Sequence, residues 1–342
     1  MKEFTGFMHG INLGGWLSQC DHTKERYENF IHEDDIAKIK GWGLDHVRVP
    51  VDYDLVEDAE GNYKEEGFGY IQRAIDWCRK YGLNMVLDLH KTFGYSFDSG
   101  EGESGFFDVE AYQERFYRLW EQFANRYGKY EGMLAFELLN EVTSETYSDK
   151  WNEISSICIA KIRAIAPTIP ILLGGYHNNS IWALRDLKAP ADENIIYNFH
   201  FYEPLIFTHQ GAYWIDTMDT DFRMHMDETY AEYVEKSEEQ LKMTPDILTP
   251  YPKDKVFGLE FFENCVRDAV AIAKERNACL YCGEFGVIDR ADPQDALKWY
   301  REILKCFDLN GIGRAAWSYR EMDFGFVDEH FAPVAADVVS IL

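Results

Sequence analysis

The stretch Met133-Leu134-Ala135-Phe136-Glu137-Leu138-Leu139-Asn140-Glu141 stays largely apolar for the length of a strand and ends on a polar pair; Ser148 to Ala166, just beyond, has a helical pattern. Within that pattern Ile154, Ile157, Cys158, Ile162 and Ile165 recur at helix spacing. Working outward, the same unit repeats along the chain. Candidate strands are Met8 to Leu13, Leu44 to Val49, Leu83 to Leu89, Met133 to Asn140, Ile169 to Gly174, Ile195 to Phe201, Cys279 to Phe285 and Ile312 to Trp317. Helical patterns cover Asp34 to Lys40, Tyr70 to Tyr81, Val109 to Tyr127, Ser148 to Ala166, Phe261 to Arg276 and Pro293 to Phe307, the last opened by Asp292 as N-cap and Pro293 at the first helical position. A short fifth helix is expected from near Ser180. Strand–helix units repeated to this number over about 340 residues predict an α/β fold, a (β/α)8 TIM barrel. The rival is a doubly wound open sheet, but no glycine-rich phosphate loop follows the first strand.

The rhythm breaks once. Between the sixth strand and its helix more than fifty residues intervene, from Tyr202 to Phe257, and Asp227 to Lys242 is rich in helix formers. The expectation is a mainly helical subdomain, residues 203–256, inserted after strand six into a single catalytic domain spanning 1–342. The aromatics Phe207, Tyr213, Trp214, Tyr230 and Tyr233 weigh against a disordered loop.

Composition narrows the partners. With 60 acidic against 34 basic residues the net charge is −26, which repels nucleic acid and anionic lipid surfaces. No run of about 18 apolar residues occurs, and Met1 to Gly10 lacks the pattern of a secretion signal. The expected compartment is cytoplasmic, or extracellular with a signal already removed, and the expected state is a monomer. Seven cysteines without regular spacing argue against a disulfide framework. Cys279 and Cys282 have a zinc-like spacing, but their odd separation on a strand sends the sulfurs to opposite faces. No metal and no cofactor are expected. A 15% aromatic content is high; part of it must be core, and a surplus of Trp and Tyr is compatible with a cleft in which sugar faces stack on indole and phenol rings.

Residues two apart on a strand face the same side. His46 and Arg48, Asp88 and His90, Asn198, His200 and Tyr202, and Glu137 and Glu141 therefore form polar sets. The face turned to the helices must be apolar, so these sets should point into the barrel and gather near its C-terminal mouth. Glu141 and Glu284 each close an apolar run on a different strand. Two carboxylates so held are what glycoside hydrolysis needs, one to protonate the leaving oxygen and one to attack or to activate water.

In order along nearly the whole chain, Gly10-Ile11-Asn12-Leu13-Gly14-Gly15-Trp16, His46-Val47-Arg48-Val49-Pro50, Leu87-Asp88-Leu89-His90, Phe136 to Glu141, Asn198-Phe199-His200-Phe201-Tyr202, Gly283-Glu284-Phe285-Gly286 and Ala316-Trp317 resemble glycoside hydrolase family 5, the cellulase family. They resemble in particular its bacterial endoglucanases that lack a signal peptide and carry a helical insertion after strand six. The resemblance implies a retaining double displacement with Glu141 as acid/base and Glu284 as nucleophile. It also implies an endo-β-1,4-glucanase acting on soluble and mixed-linkage β-1,3-1,4-glucans. Asn140 would donate to the sugar 2-hydroxyl, His90 would bind hydroxyls of the same sugar, and Trp317 would floor it, with Trp16 a further substrate contact. His200 and Tyr202 would position a carboxylate, and Arg48 would hold Glu284 anionic, with Glu137 in support.

Other readings stay open. Arg48 and Glu137 form a structural pair in one, His90 and His200 are satisfied core histidines in another, and Trp16 is plain packing in a third. Lys91 stands where the endoglucanases often carry a second histidine. With Phe97-Asp98-Ser99-Gly100 it also resembles the exo-β-1,3-glucanases of the family, so an exo-β-1,3-glucanase or β-glucosidase is the alternative. A non-catalytic sugar-binding barrel would lack one of the two glutamates, and both are present.

Overall fold

The computed structural model describes residues 1–98 and 101–342. Ser99 and Gly100, part of the segment compared above with exo-acting enzymes, lie outside the described residues. Eight parallel strands close a barrel in sequence order. They are β1 (His9–Asn12), β2 (His46–Asp52), β3 (Asn84–Lys91), β4 (Leu134–Glu137), β5 (Ile171–Leu173), β6 (Ile195–Phe201), β7 (Cys279–Phe285) and β8 (Gly313–Ala316), with β8 pairing back onto β1. The short loops and right-handed crossovers of a strand–helix repeat leave this closure as the way to pair every strand edge.

Long helices surround the barrel at Glu65–Tyr81, Glu110–Tyr127, Ser148–Ile165, Leu259–Glu275 and Pro293–Asn310. Each presents one apolar stripe inward. In Ser148–Ile165 the stripe is Ile154, Cys158 and Ile162, whereas Ile157 turns to solvent at 41% exposure. Asp292 caps Gln294 N–H ahead of Pro293, and Gly311 ends that helix in the left-handed conformation (φ 62°). After β5 the expected short helix is a 3₁₀ turn, Ile181–Asp186, capped by Ser180.

The barrel interior is layered. Its N-terminal half is plugged by Phe4 and Phe7, which stack on each other at 4.2 Å over Val86, Ala135, Leu172, Ile196, Cys279, Tyr281 and Ala315. Cys279 belongs to that inner layer and Cys282 to the core between strands and helices, so the two sulfurs do face apart. Among the described residues all seven cysteines are free, and no helix is long and apolar enough to cross a membrane.

The segment after β6 contains less helix than its composition suggests. Helix is confined to Leu205–Thr208 and Tyr230–Gln240, the latter begun by a capping box between Thr229 and Glu232. The Asp-rich stretch before it, and Pro245, Pro250 and Pro252 after it, favour turns over helix. Aromatic packing orders the remainder: Tyr230 stacks on Tyr251 at 4.4 Å, and Tyr233 lies 4.1 Å from Phe257.

Candidate active site

Above the apolar plug the inward positions become polar, and one guanidinium organises them. Arg48, from β2, is fully buried and uses its whole donor fork. Nε and Nη2 grip Glu137 on β4 at 2.7 and 2.8 Å, and Nη1 donates to Glu284 on β7 at 2.8 Å and to Asn12 on β1 at 2.9 Å. Nη2 also donates to Asn140 Oδ1 at 2.9 Å and lies 3.0 Å from Asp88 Oδ2 on β3. Arg48 thus touches both expected partners, Glu137 and Glu284.

Glu284 reaches the interior against the parity of its strand. Cys279 and Tyr281 point inward, so simple alternation would bring in Gly283 and turn Glu284 to the helices. The register shows why it does not: Phe199 pairs with Cys282 but His200 pairs with Glu284, leaving Gly283 as an extra residue in β7. This is a β-bulge, which re-aims every side chain beyond it. Gly283 N–H donates to Asn198 Oδ1 at 3.0 Å, and Gly283 C=O accepts from Asn12 Nδ2 at 2.9 Å. A Cβ at this position would stand 2.7 Å from Asn198 Oδ1, so the neighbours close down on glycine alone. Asn198 also donates to Glu137 Oε1 at 2.7 Å, tying the bulge to the Arg48 cluster.

Glu141 follows β4 in a left-handed turn of its own (φ 43°), which lets both Asn140 and Glu141 face the mouth. One oxygen of Glu141, one of Glu284 and a ring nitrogen of His200 lie within 4.8 Å of one another. His200 Nδ1 is 2.7 Å from Glu141 Oε1 and 3.5 Å from Glu284 Oε2, and Tyr202 O–H donates to Glu284 Oε2 at 3.0 Å. Burial pushes both carboxyls up to about 7, opposed at Glu141 by the Asn178 amide and at Glu284 by His200 and Arg48. Burial also takes His200 down to about 4, so its ring is neutral at physiological pH. The charge-assisted bond from Arg48 and the phenol donor both favour an anion at Glu284.

Asn140 Nδ2 is buried with no partner among the described residues, a donor left for whatever occupies the cleft. His90 is held at both nitrogens, Nδ1 2.6 Å from Asp88 Oδ2 and Nε2 3.1 Å from Gln19 Oε1, and its ring lies parallel to Trp317. Trp317 packs with Ala212, Ile288 and Phe324 beside Tyr202. Trp16 is the exception among the expected contacts. It is fully buried behind the barrel, its indole N–H given to Tyr27 C=O and its ring stacked on Trp77, so it is a core residue. The Gly14-Gly15 pair before it turns the chain away from the mouth, with Gly15 in the left-handed region (φ 73°).

Several residues of the site have roles that the sequence does not show. Asn12 and Asn198 act on a bulge that only strand pairing reveals, and Asp88 is visible only as the inward neighbour of His90. Asn178 and Asn179 read as ordinary loop residues. Among the described residues a second His–carboxylate group, His22 with Asp52 and Asp54, is also drawn within 4.8 Å.

Carboxylate oxygens within 4.8 Å of each other suit the close pairing of retaining glycosidases, roughly 5–5.5 Å between carboxyl groups, better than the roughly 6.5–9.5 Å that leaves room for an attacking water. Comparison with known proteins points the same way. A family profile described as "Cellulase (glycosyl hydrolase family 5)" matches residues 10–323. Cellodextrinase A of Ruminococcus flavefaciens is 47% identical over 95% of this chain and 89% of its own length. Endoglucanase C of Acetivibrio thermocellus is 38% identical over 98% of each. Among solved structures, endoglucanase Cel5A of the hyperthermophilic Thermotoga maritima superposes with a TM-score of 0.77 at 26% identity, covering 98% of this chain and 97% of that one.

Proposed function

The chain belongs to the cellulase family, glycosyl hydrolase family 5, and on that premise we propose that it cleaves β-1,4-glucosidic bonds in soluble β-glucans by double displacement at Glu141 and Glu284. The observation that carries the reading is the spacing of these two carboxylates at the ends of two strands, with Arg48 and Tyr202 donating to one of them alone. Glu284 attacks the anomeric carbon while Glu141 passes its proton to the departing oxygen. Glu141, now ionised, then takes a proton from the water that releases the sugar. Asn140 Nδ2 donates to the 2-hydroxyl as positive charge develops on the ring, and Trp317 supports the sugar face. The reading takes residues 1–342 as one catalytic domain with 203–256 inserted.

We take short, soluble cello-oligosaccharides as the substrate, with mixed-linkage β-1,3-1,4-glucan also accepted, a reading supported by the name cellodextrinase carried by one relative. Product lengths and viscosity, followed together on cello-oligosaccharides, barley β-glucan, carboxymethylcellulose and laminarin, test this. Endo action predicts an early fall in viscosity with mixed oligosaccharides on the β-1,4 substrates. Glucose released alone from laminarin would move the assignment to an exo-β-1,3-glucanase.

The site also predicts its pH dependence. Productive enzyme needs Glu284 ionised and Glu141 protonated, and both carboxyls sit near 7. The log of kcat/KM should therefore rise through an acid limb belonging to Glu284, fall through a basic limb belonging to Glu141, and peak close to neutrality. An aryl cellobioside assayed from about pH 4 to about pH 9 measures this. A profile still rising above pH about 8 would contradict the assignment of Glu141 as the acid.

A further inference from the structure

Beyond β5 the backbone does something that no strand or helix requires. His177, Asn178 and Asn179 all adopt the left-handed conformation, with φ of 50°, 56° and 54°. Three such residues in a row without a glycine are sterically unfavourable, and asparagine is the residue that tolerates the region best. The turn is locked from several sides. Asn178 N–H donates to Val142 C=O at 3.0 Å, immediately beyond Glu141, and Ser180 N–H donates to Tyr176 C=O and His177 C=O, both at 3.1 Å. Ser180 pairs with His200. The Asn179 side chain fills the space over Gly174, where a Cβ would stand 2.2 Å from its Oδ1. Strain held this firmly, beside a reacting centre, points to a geometric purpose.

Side-chain contacts supply that purpose. Asn178 Nδ2 donates to Glu141 Oε2 at 2.9 Å while His200 Nδ1 holds Oε1 at 2.7 Å, so each oxygen of the carboxyl is gripped from a different element. On the other edge of the His200 ring, Asn179 Nδ2 is 3.4 Å from Nε2. An amide N–H directed at Nε2 leaves Nδ1 as the protonated nitrogen, the one that donates to Glu141.

We propose that Asn178 is a positioning residue for the acid/base cycle, its amide fixing the plane of the Glu141 carboxyl and stabilising the ionised form that Glu141 must adopt to activate water, with Asn179 holding His200 in the matching tautomer. The inference rests on the reading of Glu141 as acid/base. An N–H donor strengthens its bond when the acceptor becomes an anion, so it lowers the proton affinity of that acceptor. Burial works in the opposite sense on Glu141, and Asn178 is the main group opposing it. Without the amide, Glu141 would still protonate a leaving group but would ionise less readily for the second step.

Two substitutions separate this role from a structural one. Asn178→Gly deletes the amide while keeping a residue that accepts the left-handed backbone. Asn178→Asp keeps the shape but replaces the donor with a second carboxylate facing Glu141. The basic limb of kcat/KM should move to higher pH in the order wild type, Asn178→Gly, Asn178→Asp. With dinitrophenyl β-cellobioside, whose departure needs no proton, kcat near neutrality should fall roughly tenfold in Asn178→Gly while KM also falls, because the covalent intermediate accumulates. Unshifted limbs in both variants, or a fall in kcat with KM unchanged, would overturn the proposal. Glu141→Gln, assayed alongside, keeps the two readings apart. If it retains the wild-type basic limb, the acid/base assignment itself is wrong; if it loses that limb while the Asn178 variants leave theirs unmoved, only the present inference fails.

Discussion

Glu284→Ala is expected to lower kcat by at least about 10⁴-fold, and azide is expected to restore turnover of dinitrophenyl β-cellobioside as the α-linked cellobiosyl azide. The argument is stereochemical. Glu284 approaches the anomeric carbon opposite the leaving oxygen, so an anion placed in the space vacated by its carboxylate attacks from the same side and inverts the centre once. Arg48 and Tyr202, which donate to Glu284, remain to receive that anion. Glu141→Ala should behave in the opposite way. There the covalent intermediate still forms on an activated substrate, azide displaces Glu284 from it, and two inversions give the β-azide. The anomer identified by NMR assigns both residues. A β-azide from Glu284→Ala, or undiminished turnover without azide, would remove Glu284 from the role of nucleophile.

Arg48→Met should cost about 3–5 kcal/mol of folding stability, the scale of breaking a buried ion pair by removing one partner. Methionine roughly preserves the volume and removes the charge. What remains is Asp88, Glu137 and Glu284 facing each other without their common counter-ion, in a space where burial already raises Asp88 to about 7 and Glu137 above the usual carboxylate range. The pH dependence identifies the cause. Losing the guanidinium raises these folded-state pKa values further above those of the unfolded chain. The native variant then binds more protons than its unfolded form from about pH 4 upward to the raised pKa values, so by linkage its stability falls as pH rises through that window. Urea unfolding midpoints should separate from wild type modestly near pH 5 and widely near pH 8, both approximate settings for that test. A deficit of the same size at both would mean that lost packing dominates.

The legible part of this architecture is the part set by local patterns. β6 and β7 fall at Ile195–Phe201 and Cys279–Phe285, as their apolar runs predict, because both are long and bounded by breakers. Alternation along β2, β3 and β6 places Arg48, Asp88, His90, Asn198 and His200 inside, since a barrel strand has one face for helices and one for the interior. The helix over Glu65–Tyr81 begins five residues before its pattern does, since Gly67 and Gly69 look like breakers. Gly67 is there because a Cβ would stand 1.9 Å from Leu55 C=O, a tertiary contact no window of sequence contains. Trp16 stays ambiguous in the sequence for a similar reason: an aromatic after two glycines does not reveal which way the turn carries it, and the structure buries it. The left-handed turn at Asn178 is equally non-local, fixed by Val142 beyond β4 and by the pairing of Ser180 with His200 on β6.

The bulge at Gly283 makes β7 intolerant of indels. Side-chain direction along a strand is a count modulo two, and the count of this strand carries one deliberate extra step just before its glutamate. Deleting a single codon there would leave the strand able to pair and the barrel able to close, yet turn the carboxylate into the apolar layer beneath the helices. The long segment after β6 lies under no such parity rule, so a change of length there re-aims no side chain of the barrel interior.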